Sequence, residues 1–210
     1  MIRLLIADDH AIIRQGLKQI LTESHDIVVA DEASNGKEAL NQALKKDYDV
    51  VVLDITMPDR SGLDVLKELK SRKPNLKVLI LSMHPEEQYA IRALRAGASG
   101  YLTKDSVPDE LIAAIRRAVL GRKYVSSSLA EKLASELDTG AERLLHQALS
   151  DREYEIMLMI AAGKRITEIA DELCLSVKTV GTYRSRILRK MRMKNNAELT
   201  RYSLESRLLY

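Results

Sequence analysis

Over the first 120 or so residues, short apolar runs rich in Val and Ile alternate with stretches whose apolar positions recur every three or four residues. The runs predict strands from Ile2 to Ala7, Ile27 to Asp31, Val50 to Asp54, Val78 to Ser82 and Ser99 to Thr103. Between them Ile13, Leu17, Ile20 and Leu21 share one helical face, as do Ala39, Leu40, Ala43 and Leu44, then Leu66 and Leu69, then Ala90, Ile91 and Leu94. A last helix is expected from Asp109 to Leu120. Such alternation implies a mostly parallel sheet with helices on both faces, and the nearly continuous apolar character of "VVVLDI" suits a strand covered on both sides. The expected fold class is α/β, a doubly wound five-stranded parallel sheet over residues 1–121.

After Gly121 the texture changes. "SSS" at Ser126 to Ser128 precedes a modest helical pattern (Leu129, Leu133, Leu137), which Thr139 and Gly140 interrupt. Residues 122–145 are read as a partly helical linker. Beyond it the period is helical only: Ile156, Met159 and Ile160, then Ile166, Ile169, Ala170 and Leu173, then Val180, Ile187, Leu188 and Met191. A small all-α domain of four helices is expected over residues 146–210.

Hydrophobic residues form 46% of the chain but Trp and Phe are absent, so both cores must be aliphatic, with Tyr the only aromatic. Cys174 stands alone, which excludes an intrachain disulfide, argues against a cysteine-based zinc site and favours a reducing compartment. It falls at a predicted turn and is read as a small buried residue. No secretory leader pattern opens the sequence, and no apolar run approaches the roughly 20 residues of a membrane span. A cytoplasmic protein without membrane contact is expected. The net charge of +3 is unevenly spread: residues 146–210 hold 12 Lys and Arg against 8 Asp and Glu, leaving 21 against 22 for the rest. Lys178, Arg184, Arg186, Arg189, Lys190, Arg192 and Lys194 share one window without an acid, an electrostatic footprint suited to nucleic acid.

Asp8, Asp9 and Asp54 all fall at the C-terminal ends of predicted parallel strands, where open α/β sheets place their sites. If the first and third strands are neighbours, the three acids converge. Two unit charges 4 Å apart repel by about 4 kcal/mol at an effective dielectric near 20, so the cluster calls for a cation. A hard divalent ion, Mg²⁺ or Mn²⁺, is the natural compensator. Two further strand ends supply a hydroxyl, Ser82, and a fixed cation, Lys104. One carboxylate as nucleophile beside a metal, a hydroxyl and a lysine suits transfer of a phosphoryl group to Asp54.

"ADDH", "VVVLDITMP", the strand-ending Ser82 and "GYLTKD" resemble the receiver domain of bacterial two-component response regulators over roughly residues 2 to 120. The resemblance implies a flavodoxin-like sheet with Asp54 as phosphoacceptor. It implies that Asp9 binds the metal directly and Asp8 through water, with the backbone carbonyl of Thr56 as a further ligand. Ser82 and Lys104 would stabilise the phosphoryl group, and Ser82 and Tyr101 would form a switch pair. Asp105 stands where other receivers commonly have proline, and "KD" points to the NarL-type branch. His10, His25, His84 and His146 lack metal-ligand spacing and are assigned no chemistry.

"ITEIADELCLSVKTVGTYRSRILRKM" reads as helix, short turn and helix, with Ser176 as N-cap of the second. On a helical wheel Val180, Ile187 and Met191 lie opposite Lys178, Thr182, Ser185 and Arg189, a polar and basic face that a major groove accepts. With Arg152, Glu153, Gly163, "EIA" and "SVKTV", the segment resembles the LuxR-type helix-turn-helix domain over about residues 146 to 208. That implies a recognition helix from Val177 to about Met191 and a dimerising helix from Ala197. Gly181, Thr182 and Ser185 match the positions that usually reach bases. Ser176, Lys178, Thr179, Tyr183, Arg186, Arg189 and Lys190 complete the expected DNA-binding set. Gly181 and Tyr183 replace the family's frequent lysine and histidine.

The function expected is that of a phosphorylation-activated transcription regulator. Its partners are a sensor histidine kinase, promoter DNA and, once phosphorylated, a second copy of the chain. No substrate-processing activity is expected. Two alternatives are a receiver acting through protein contacts without phosphate and an aspartyl-phosphate phosphotransferase. Haloacid-dehalogenase-like enzymes need an acid two residues after the nucleophile, where this chain has Thr56. A nucleotide-binding reading lacks a glycine-rich phosphate loop after the first strand.

Overall fold

A computed structural model describes residues 1–131, 145–206 and 208–209. The chain divides into two compact units, Met1–Leu133 and Ala134–Tyr210. In the first, strands β1 (Ile2–Ala7), β2 (Ile27–Ala33), β3 (Val50–Asp54), β4 (Lys77–Ser82) and β5 (Gly100–Thr103) alternate with helices α1 (Ala11–Thr22), α2 (Gly36–Lys45), α3 (Gly62–Arg72), α4 (Glu86–Arg95) and α5 (Val107–Val119). The strands pair in parallel in the order β2-β1-β3-β4-β5. The order reverses at β1 and β3, which are direct neighbours, and a crevice opens at their C-terminal tips. Ala7 pairs with Leu53 and Ser82 with Thr103, so Asp8, Asp54, Ser82 and Lys104 emerge along one rim.

Every residue of β3 is buried, as the apolar run Val50 to Leu53 requires, and Asp54 at its tip is buried with them. Leu4, Ile6, Val52, Leu79, Leu81, Leu111 and Ile115 form the core on one face, with Leu17 and Leu21 of α1 packed among them. The observed elements differ from the expected ones by a few residues at β2, β5 and α5. On α4 the fully buried positions are Tyr89, Ala90 and Ala93, while Ile91 and Leu94 are only half-buried. Two alanines let this helix approach the sheet closely, and the tyrosine fills the remaining space.

The stretch read as a linker begins inside this unit. Tyr124 N–H donates to the Ser99 carbonyl at 2.8 Å, and Tyr124 bridges Gly100 beside the outer strand. Ser126 and Ser128 donate to Glu86, residues 127–131 are helical, and Leu129 is buried. The physical reason is the open edge of β5, whose unpaired peptide groups accept a covering segment. Leu133, Leu137, Thr139 and Gly140 lie outside the described residues.

The second unit holds a short 3₁₀ turn (Leu145–Ala148) and helices α6 (Asp151–Ala161), α7 (Ile166–Glu172), α8 (Val177–Met191) and α9 (Asn196–Glu205). Its core is mostly aliphatic: Ile156, Met157, Ile160, Ile169, Leu173, Val180, Ile187, Met191 and Leu199 are buried, with Tyr154 an aromatic among them. A capping box starts α6, with Ser150 and Glu153 each satisfying the other's backbone N–H. Ser176 caps α8 through Thr179 N–H at 3.0 Å, as its sequence position requires. Cys174 is exposed, contrary to the buried position expected of it. It turns the chain between α7 and α8 with φ +51°, and its N–H is bound to the Asp171 carbonyl.

Candidate functional site

At the rim of the parallel sheet, Asp8 and Asp54 converge on one ammonium. Lys104 Nζ lies 2.6 Å from Asp8 Oδ2 and 2.8 Å from Asp54 Oδ2, and all three side chains are at most 6% exposed. The lysine is brought there by β5, whose end is tied to β4 by Lys104 N–H donating to the Ser82 carbonyl at 2.8 Å. Arg14 of α1 donates to the Asp8 carbonyl at 2.7 Å and steadies the β1 tip. Gly62 lets α3 reach the backbone beneath Asp54: a Cβ there would meet the Asp54 carbonyl oxygen at 1.9 Å. Sequence reading had no signal for that glycine, because the contact is tertiary.

Burial pushes the Asp54 carboxyl up to about 6, Lys104 offsets part of that rise, and the Asp8 charge adds to it. The same two acids hold the Lys104 ammonium above its ordinary range, outweighing the effect of its own burial. One lysine therefore faces two buried carboxylates. Asp9 is partly exposed, with Oδ1 2.9 Å from His10 Nδ1. Single ligand atoms of Asp8, Asp9, His10 and Asp54 all lie within 4.8 Å of one another. Neither Asp8 Oδ2 nor Asp9 Oδ1 receives a well-directed hydrogen bond. An acid excess of this kind, three carboxylates around one ammonium with oxygen atoms close together, fits a hard divalent cation. Lys104 supplies compensation that sequence reading assigned to a metal alone.

Ser82 and Tyr101, expected as a pair, are both fully buried and meet through the backbone of His84. Ser82 Oγ accepts the His84 N–H at 3.0 Å, and Tyr101 Oη donates to the His84 carbonyl at 2.7 Å. The His84 ring stacks near Tyr89, with centroids 4.8 Å apart, and its Nε2 is 3.3 Å from Thr56 Oγ1. Thr56 N–H in turn lies 3.3 Å from Asp54 Oδ1. Sequence reading assigned neither His10 nor His84 a role. The position of His10 directly after two acids was a usable signal; that of His84 depends on the reversal of the chain after β4.

On α8 the faces separate as the wheel requires. Val180, Ile187 and Met191 are buried, whereas Lys178, Thr182, Ser185, Arg186 and Arg189 are exposed. Gly181 and Tyr183 are half-buried. Thr182 Oγ1 donates to the Lys178 carbonyl at 3.0 Å and Ser185 Oγ to the Gly181 carbonyl at 3.1 Å, so each hydroxyl keeps its acceptor lone pairs outward. Ser176 and Thr179 are engaged in the cap, with hydroxyls 2.7 Å apart. Lys190 stands apart from the expected set, paired with the buried Glu153 at 2.5 Å.

An acid and lysine cluster at the switch point of a parallel sheet, in one chain with a capped basic helix-turn-helix, defines a receiver-linked regulator. The family model of the response regulator receiver domain matches residues 4–116, and that of bacterial regulatory proteins of the luxR family matches residues 147–203. The chain belongs to the bacterial response regulators of NarL type. It is 35% identical to the response regulator UvrY of Escherichia coli K12 over 205 residues, 97% of this chain and 94% of that protein. It is 37% identical to the response regulator GacA of Pseudomonas protegens over 200 residues, 95% and 94% of the two chains. The structure of RcsB from Salmonella enterica serovar Typhimurium, bound to promoter rprA with the phosphomimetic BeF3⁻, superposes with a TM-score of 0.64. Identity to that chain is 25%, covering 96% of this chain and 97% of the other. No helix among the described residues is long and apolar enough to cross a membrane.

Proposed function

We propose that Asp54 accepts a phosphoryl group from a phosphohistidine of a sensor kinase, and that the phosphorylated chain dimerises and binds promoter DNA through α8. The single observation that carries this reading is Lys104 Nζ held between Asp8 and Asp54. Asp8, Asp9, Asp54 and the backbone carbonyl of Thr56 would hold Mg²⁺ or Mn²⁺. The ion would neutralise the acids and the incoming oxygens. A carboxylate oxygen of Asp54 attacks phosphorus, the bond from phosphorus to the donor nitrogen breaks, and the donor imidazole keeps that electron pair. Lys104 then exchanges a carboxylate contact for a phosphoryl oxygen, and Ser82 Oγ turns from His84 N–H toward the same group. Tyr101 holds the carbonyl of the same residue, in the next peptide unit, so release of His84 N–H leaves the loop leading into α4 fastened at one point in place of two.

Lys178, Thr182, Ser185, Arg186 and Arg189 would meet the DNA, with Gly181 and Tyr183 beside them. RcsB, bound to promoter DNA in the presence of a phosphomimetic, supports this assignment by analogy. Hydrolysis of the acyl phosphate resets the switch and is no processing of an external substrate. A cytoplasmic location fits such a partner set.

The test is incubation with a small acyl phosphate and Mg²⁺, followed by intact-mass analysis. One phosphoryl group should appear on the wild-type chain and none on Asp54→Asn; label retained by the variant would overturn the acceptor assignment. Selection from random-sequence DNA with and without phosphodonor would then report phosphate dependence. The logarithm of affinity should fall with that of salt by a slope of about −0.9 per neutralised phosphate.

A further inference from the structure

His10 closes the mouth of the acid cluster. It is the N-cap residue of α1, yet its side chain makes no capping hydrogen bond. Its backbone N–H donates to Asp8 Oδ1 at 2.9 Å, and its Nδ1 lies 2.9 Å from Asp9 Oδ1 and 3.4 Å from Asp8 Oδ1. Around an octahedral ion with bonds of about 2.1 Å, neighbouring ligand atoms sit about 3 Å apart and opposite ones about 4.2 Å apart. The nitrogen is thus near the spacing that one shared ion requires from both carboxylates, within a set whose ligand atoms lie within 4.8 Å of one another and would draw together by several tenths of an ångström around an ion. Asp8 divides its oxygens accordingly: Oδ2 faces Lys104, and Oδ1 faces His10.

We propose that His10 Nδ1 is a direct metal ligand, making this pocket a mixed carboxylate and imidazole site that holds a divalent transition ion such as Ni²⁺ or Zn²⁺ more tightly than Mg²⁺. The proposal rests on the reading of the acid cluster as a cation site. Imidazole suits Zn, Ni, Cu and Fe, whereas Mg²⁺ keeps oxygen ligands and waters. With an all-oxygen ion, His10 stays on Asp9; a nitrogen-preferring ion draws it in. The His10 side chain is 63% exposed, so the ring reaches an ion at the mouth without repacking, and its replacement leaves the core untouched. A transition ion held this way takes the acids that Mg²⁺ needs, which makes phosphoryl acceptance at Asp54 sensitive to the metal present.

Titration calorimetry on the full chain without a histidine tag, with Ni²⁺ and Mg²⁺ in separate experiments, tests this on wild type, His10→Gln and Asp9→Asn. Wild type should bind Ni²⁺ at one strong site that excess Mg²⁺ competes for. His10→Gln should weaken Ni²⁺ by about tenfold or more, while Mg²⁺ affinity stays within about twofold. Asp9→Asn should weaken both ions. If Asp9→Asn leaves Mg²⁺ binding unchanged, the cation-site reading fails and the role of His10 fails with it. If Asp9→Asn loses Mg²⁺ while His10→Gln changes neither ion or both equally, the cation site stands and His10 is no ligand.

Discussion

Lys104 in the receiver and Lys190 in the helical unit each hold a buried carboxylate, but Lys104 holds two. Glu153, the partner of Lys190, also accepts the Ser150 N–H at 2.8 Å, so one of its oxygens, Oε2, holds two donors. Burial raises the Glu153 carboxyl, but the hydrogen bonds from Lys190 and Ser150 outweigh it and hold the group below its ordinary range. At Asp54 the balance runs the other way, to about 6. A buried acid with its own partners is a fastener. Buried acids that outnumber their cation form a pocket in want of charge, and that surplus marks the functional site.

The hardest test of this contrast is to remove each acid. Glu153→Ala should cost the helical unit about 1–2 kcal/mol, because it removes the return bond of the capping box and the ion pair with Lys190, whose ammonium reaches solvent. Asp54→Asn should do the reverse to the receiver. Burial pushes the Asp54 carboxyl up to about 6, so its ionised form weakens the fold, and its removal should gain on the order of 1–3 kcal/mol at pH 7 without metal. Denaturant-dependent hydrogen exchange on the full chain reads each unit separately. Equal signs for the two variants would erase the distinction between fastener and site.

A smaller effect follows from pH. Folded Asp54 binds its proton more tightly than the unfolded group, with 3.8 as the ordinary value, so the contribution of Asp54 to receiver stability should fall as pH rises from about 4 to 6 and level off above that. Folded Glu153 binds its proton more weakly than an ordinary glutamate. Its contribution is therefore present above about pH 4.5 and lost as pH falls through the lowered folded value. The difference between wild type and Asp54→Asn isolates the first slope, and that between wild type and Glu153→Gln the second. Slopes of the same sign would contradict the opposite shifts.

Much of the receiver was legible because a parallel sheet writes itself in unbroken apolar runs, and its strand tips are fixed once the strand order is known. Asp8, Asp9, Asp54 and Lys104 fall at strand tips from position alone, and meet because β1 and β3 are neighbours. Other features carry no local signal. Gly62 matters because α3 crosses the Asp54 carbonyl, and residues 122–131 join the first unit because β5 has a free edge. Tyr89 replaces Ile91 and Leu94 at the buried face of α4 since packing, and not period alone, selects which side chain fits. In the helical unit the wheel sorted the faces of α8 correctly, but charge could not show that Lys190 is engaged by Glu153 from another helix.

Gly181 extends the comparison to the surface of α8. It sits within a 15-residue helix, where glycine is less favourable than alanine by up to about 1 kcal/mol, and a Cβ there would meet nothing within 4 Å. No backbone requirement explains the residue, since its φ is not among the positive values. Gly181→Ala should therefore stabilise the helical unit by about 0.5–1 kcal/mol, the smallest of these effects, measurable as an upward shift in denaturation midpoint at constant slope. Affinity for random-sequence DNA should stay unchanged, because phosphate contacts depend on Lys and Arg. Like the surplus acid at Asp54, the glycine then represents a local loss of stability retained on the face proposed to meet DNA. If the substitution is neutral or destabilising, this half of the parallel fails, and the soft spots of the molecule are confined to the receiver.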